Sequence, residues 1–154
     1  MRTHDGAGST KTKDRTERYQ QIVKHFEQVA RANIGTLVHV ADLSRIAGLN
    51  QRTLSRAFRE VRGIGPHQFL QYLRLNEVKR VLSSEEGTIT QAAMRFGFRE
   101  VGKFGVLYRK AFGESPSETR RRIRSVEVAS RHDPAHARPP GKKRTFDTNA
   151  ANEQ

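Results

Sequence analysis

Two arginines four residues apart, Arg52 and Arg56, lie in the segment Asn50-Gln51-Arg52-Thr53-Leu54-Ser55-Arg56-Ala57-Phe58-Arg59. On a helix that spacing puts both guanidiniums on one face. A guanidinium can donate two parallel hydrogen bonds to O6 and N7 of guanine, so such a face suits base edges as well as phosphates. Asn50 fits the position just before the helix, where its side chain would accept from free backbone N–H groups. Gln51 and Ser55 add neutral donors and acceptors over the same two turns. A second basic segment runs from Arg99 through Lys103 to Arg109 and Lys110. Lys103 is the best placed of these, and Arg109 and Lys110 suit phosphate or water. The ordinary alternative for each residue is a solvated side chain. For Arg52, a base, a phosphate and water alone stay open as partners.

Other chemistries find little support. The chain has no cysteine, which excludes disulfides, thiolate zinc sites and thiol catalysis. None of the six histidines pairs with another histidine or a carboxylate at metal-ligand spacing within one helix. There is no nucleophile elbow, phosphate-cradling loop or HExxH motif. Glu85 and Glu86 precede Gly87 and read as a solvated turn. The sequence therefore predicts no enzyme, no metal and no cofactor.

The basic residues must be positioned by helices, because the apolar period between about 19 and 125 is helical throughout. Ile22, Val23, Phe26, Val29 and Ala30 form one stripe. Val40, Leu43 and Ile46 form a second, closed by Gly48; Leu54, Ala57, Phe58 and Val61 form a third, closed by Gly63. Phe69, Leu70, Leu73, Val78, Val81 and Leu82 follow Pro66 on a longer helix. Ile89, Ala92, Ala93 and Phe96 end at Gly97; Phe104, Leu107, Tyr108 and Phe112 end at Gly113. A last helix starts near Pro116. The expected fold class is all-α: seven helices, with no strand alternation.

The middle of the chain repeats itself. Leu54 and Phe104, Phe58 and Tyr108, Gly63 and Gly113, and Pro66 and Pro116 are each fifty residues apart, whereas Gly48 and Gly97 are 49 apart. The second copy therefore carries one extra residue in its turn and then stays in register. Each copy reads as a short helix, a glycine-opened turn and a second helix, the helix-turn-helix pattern, whose second helix can enter the major groove of DNA. A linker helix over about 67–83 joins the two subdomains. At about 1.5 Å per residue it spans roughly 25 Å, which with its turns can set two reader helices roughly 34 Å apart in successive grooves.

Charge agrees with this. The 154 residues carry a net charge of +13, and residues 19–125 hold 19 Lys and Arg against 9 Asp and Glu. The excess belongs to the part expected to fold and points to a polyanion. Residues 1–18 read as a flexible arm. Residues 126–154, with three prolines and Lys142-Lys143-Arg144, read as a disordered basic tail. Arg120-Arg121-Arg122 with Arg124 fits phosphate contact and a cationic helix end equally well. No run approaches the roughly 18 apolar residues of a membrane span, and no signal peptide is visible.

At this point the residues resemble a known family. Leu43 to Gly48, Thr53 to Arg59, Gly63-Ile64-Gly65-Pro66, Tyr72-Leu73-Arg74-Leu75, Ala93 with Phe96-Gly97-Phe98, Phe104, and Phe112-Gly113-Glu114-Ser115-Pro116 look like the double helix-turn-helix domain of AraC/XylS-type transcription regulators. The resemblance covers about 100 residues. It implies operator binding, with RNA polymerase as a further partner, and places Arg52, Ser55 and Arg56 at the family's base- or backbone-contact positions. The chain departs from the pattern twice. It has no length for the separate effector or dimerisation domain that members usually carry. Its second reader helix has Val101, Gly102, Lys103, Gly105 and Val106 where many members are polar. That unit is accordingly expected to position the DNA through Arg99 and Lys103 more than to read it. Two units in one chain can span two grooves, so a monomer or weak dimer in the cytoplasm on double-stranded DNA is expected. The alternatives are a truncated regulator or helical protein-interaction module that titrates a partner and, last, a basic bundle for RNA or a membrane surface.

Overall fold

The computed structural model describes residues 7–36, 39–84 and 87–131. It has the order α1 Ala7–Ala32, α2 Val40–Ile46, α3 Gln51–Arg62, α4 Pro66–Ser84, α5 Ile89–Arg95, α6 Val101–Phe112 and α7 Pro116–Arg131. Among the described residues there is no strand, as the helical period predicts.

Two cores are built on the two copies of the repeat. Val23, Phe26 and Ala30 of α1, Val40 and Leu43 of α2, and Leu54, Ala57 and Phe58 of α3 close on Leu70 and Leu73 of α4. Leu75, Val78 and Leu82 of the same α4 close on Ala92, Ala93, Phe96, Phe104 and Tyr108. A helix turns about 100° per residue, so the step from Leu73 to Leu75 moves the apolar face about 200° around the axis. The linker helix thus presents nearly opposite faces to the two subdomains. At 19 residues it is about 28 Å long.

The turns follow the repeat. Gly48 and Gly97 both have positive φ, 64° and 88°, which only glycine adopts at little cost. The N–H of Leu49 donates to Ser44 O at 2.8 Å and that of Phe98 to Ala93 O at 3.0 Å, closing the same helix end in both copies. The apolar residues so placed, Leu49 and Phe98, pack on their respective cores. Residues 47–50 link α2 to α3 and residues 96–100 link α5 to α6, so the second turn is longer by the one residue the register predicts.

Three expectations need correction. Ile46, placed in the inner stripe of α2, is 57% exposed. Ser44 is buried there instead and donates to Val40 O at 2.7 Å, because a seven-residue helix has only one narrow inner face. The stretch 7–18, read as a flexible arm, is helical: once Tyr19 to Ala30 pack on α2 and α3, extending the helix costs little per residue. Arg15 Nη2 also lies 3.7 Å from Glu60 Oε1 of α3. Likewise α7 continues to Arg131, past the expected boundary at 125. Residues 1–6, 37–38, 85–86 and 132–154, and with them Glu85, Glu86 and Lys142-Lys143-Arg144, lie outside the described residues.

Local capping fixes where the first reader helix starts. Asn50 Oδ1 accepts from the backbone N–H of Arg52 at 2.9 Å and of Thr53 at 3.3 Å. An Asn50→Ala variant is expected to lose about 1 kcal/mol of stability, the ordinary worth of such a cap, read as a lower urea midpoint.

Candidate nucleic-acid interface

The outward face of α3 carries the residues that the sequence singles out. Leu54, Ala57 and Phe58 face the core, which turns Gln51, Arg52, Arg56 and Arg59 to solvent and leaves Ser55 half-buried at the edge. Arg52, Arg56 and Arg59 form one stripe, since steps of four and three residues return to the same side. Among the described residues no carboxylate pairs with these three arginines. The helix is held from behind: the Phe26 and Phe58 rings meet edge to face at 5.4 Å, and Arg62 Nη2 lies 2.8 Å from Glu27 Oε1 of α1. His25 Nε2 lies 3.2 Å from the carbonyl oxygen of Ala47, bracing the turn. The stripe of cations therefore sits on a rigid element.

The second reader helix, α6, is held as firmly but equipped differently. Tyr108 is fully buried, and its hydroxyl donates to Thr119 Oγ1 at 3.0 Å. Thr119 Oγ1 in turn donates to Glu114 Oε1 at 2.7 Å, and Arg122 Nη2 donates to the same oxygen at 2.8 Å. The bonds from Arg122 and Thr119 hold the Glu114 carboxyl down to about 2. At the N-terminus of α7, Ser115 and Glu118 exchange backbone–side-chain bonds, Ser115 N–H donating to Glu118 Oε2 at 2.6 Å and Glu118 N–H to Ser115 Oγ at 3.3 Å.

The predicted contacts on α6 are all exposed, but two have partners. Lys103 Nζ lies 2.7 Å from Glu100 Oε2, and Arg109 Nη2 lies 3.5 Å from Glu118 Oε2. Arg99 is exposed in the turn before the helix. The arginine run of α7 divides. Arg120 Nη2 donates to Gly87 O at 2.7 Å and Arg122 is committed to Glu114, so both brace the second subdomain; Arg121 and Arg124 are exposed.

The two valines of α6 that depart from the family's polar pattern, Val101 and Val106, lie on its outward face and are 41% and 69% exposed. Being apolar, they receive no contact role from residue type. The register of fifty gives them one, because they are the counterparts of Gln51 and Arg56. Among the described residues no group of three or more His, Asp or Glu could hold a metal ion, and no helix is long and apolar enough to cross a membrane.

Comparison with known proteins agrees with this architecture. A family model described as a helix-turn-helix domain matches residues 43–122, from α2 into α7. The XylDLEGF operon transcriptional activator of Pseudomonas putida is 30% identical over 114 residues, covering 72% of this chain and 34% of that protein. This chain thus spans about a third of that relative's length. A probable AraC family transcriptional regulator from Rhodopseudomonas palustris CGA009 superposes with a TM-score of 0.61 at 32% identity, over 67% of this chain and 97% of that one. The DNA-binding domain of AdpA, a global transcriptional factor whose structure was solved with a target DNA, gives 0.58 at 25% identity, over 67% and 96%. Two subdomains in register, two solvent-facing reader helices and these matches together place the chain in one family: it belongs to the AraC/XylS-type transcription regulators, through their double helix-turn-helix domain.

Proposed function

We propose that the chain binds double-stranded DNA sequence-specifically, with α3 and α6 in successive major grooves, and that it regulates transcription from the sites so bound. The observation that supports this best is the stripe of Arg52, Arg56 and Arg59, exposed and without a carboxylate partner among the described residues, on a capped and braced helix. Keeping three guanidiniums together without anions favours an anionic partner, and the planar fork of each suits guanine edges and phosphates. Hydrogen-bonded readout falls to Gln51, Arg52, Ser55 and Arg56. On α6, Arg99 and Lys103 supply backbone contacts, Lys103 exchanging Glu100 for phosphate. Both reader helices lie on one chain, so a monomer suffices to occupy a site. The activator named among the relatives favours RNA polymerase as the second partner. The place of action is then the cytoplasm, on the chromosome, and no reaction is catalysed.

The test is selection of bound sequences from random duplexes, followed by affinity against salt. Two enriched boxes about one helical turn apart, with a steep salt slope, are expected; a steep slope without an enriched box would reduce the activity to non-specific binding. Substituting Arg99 and Lys103 by alanine is expected to weaken operator and random DNA by the same factor. Each lost phosphate contact should flatten the salt slope by about one unit. Loss confined to the operator would instead make these two residues base readers.

A further inference from the structure

The two reader helices can be overlaid on the register of fifty. Both have twelve residues, both end at a left-handed glycine, Gly63 or Gly113, and both bury the matching core residues, Leu54 with Phe104 and Phe58 with Tyr108. Their outward faces therefore correspond position by position. Gln51, Arg52, Ser55 and Arg56 on α3 become Val101, Gly102, Gly105 and Val106 on α6. Every polar reader has an apolar or bare counterpart, while Arg59 is matched by Arg109.

Neither valine is there for the core, at 41% and 69% exposure. The fold does not require the glycines either. Neither has a positive φ, and a Cβ at either position would meet nothing within 4 Å. A glycine inside a helix is a cost relative to alanine, so two on one face, without internal cause, mark a surface kept low. The face is thus a shallow backbone groove between two valines. It is flanked by cations, with Arg99 and Lys103 at its entrance and Arg109 and Lys110 at its far end. The major groove of DNA offers a matching apolar group, the C5 methyl of thymine.

We propose that α6 reads thymines through their C5 methyl groups, with Val101 and Val106 as the contacting side chains and Gly102 and Gly105 admitting the helix close to the bases. This rests on the DNA-binding reading above and gives the second unit a base preference of its own. The contact forms no hydrogen bond and is indifferent to charge. The first box should be guanine-containing under Arg52 and Arg56, and the second thymine-containing under α6.

The test uses the full 154-residue chain and the duplex it selects. The α6 box is the one whose preference persists when Arg56 is replaced by alanine. Each thymine in that box is exchanged for deoxyuridine, which removes the methyl and leaves the pairing unchanged. The expected result is about a fourfold loss of affinity at one or two positions, the size of losing one buried methyl-sized group. In Val106→Ala and Val101→Ala, thymine and deoxyuridine should then bind alike at the position each valine covers. Because both side chains are exposed, these variants should keep the melting temperature of the parent. Gly105→Ala should melt higher and yet bind the selected duplex more weakly. Equal binding of thymine and deoxyuridine at every position of the box overturns the proposal and leaves readout by α3 standing. So does an undiminished methyl effect in both valine variants. Absence of any enriched box overturns the sequence-specific DNA reading itself, and this proposal with it.

Discussion

Phe58→Ala is expected to lower stability by about 3–5 kcal/mol, the range for truncating a buried phenylalanine. Phe58 is fully buried and sits between Phe26 of α1, at 5.4 Å, and Phe69 of α4, at 5.3 Å. Its removal opens a cavity between α1, α3 and α4 in the core of the first subdomain. A domain of this size has only about 5–15 kcal/mol in total, so the loss is a large fraction. The second core is assembled on the opposite face of α4 from different residues. The damage should therefore stay in the first subdomain. Urea unfolding followed by circular dichroism is expected to show a lower midpoint and a shallower, divided transition. Amide exchange in α5 and α6 should retain more protection than in α1 to α3. A single shifted transition with uniform loss of protection would mean that the two cores unfold as one unit.

Arg56→Ala is expected to reduce operator affinity by about 5- to 150-fold, the equivalent of about 1–3 kcal/mol for one bidentate base contact. Stability should change by less than about 0.5 kcal/mol, because the side chain is exposed and no partner among the described residues is left behind. Arg56→Lys separates charge from geometry. It keeps the cation but loses the planar fork, so random DNA should bind with nearly the parent affinity while preference at one base pair is lost. If Arg56→Lys restores operator affinity, Arg56 contacts phosphate and base reading rests with its neighbours on α3.

Much of the fold is legible in the sequence because it is set over four or five residues at a time. The glycines at 48 and 97 mark the turns through backbone conformation, Asn50 marks a helix start through its own side chain, and the register of fifty shows that the unit occurs twice. These signals need no knowledge of what lies across the core. The outward stripe of α3 follows equally, since the apolar positions 54, 57, 58 and 61 leave 52, 56 and 59 on the other side.

What only the tertiary structure decides is which side of a helix is taken by a neighbour. Packing of α4 on two cores assigns Leu73 to one and Leu75 to the other, which no single stripe reveals. Packing of α1 against α3 lets the helix run back to Ala7 through residues with no apolar pattern. Contacts between α6, α7 and the turn before α5 assign Arg120 and Arg122 to internal bracing, although their sequence neighbours Arg121 and Arg124 face solvent. The same arrangement leaves Val101 and Val106 uncovered. Residue type alone does not say which of four arginines in one helix turn inward to hydrogen-bond; the turns packed beside α7 engage Arg120 and Arg122, although Arg122 keeps much of its side chain in solvent.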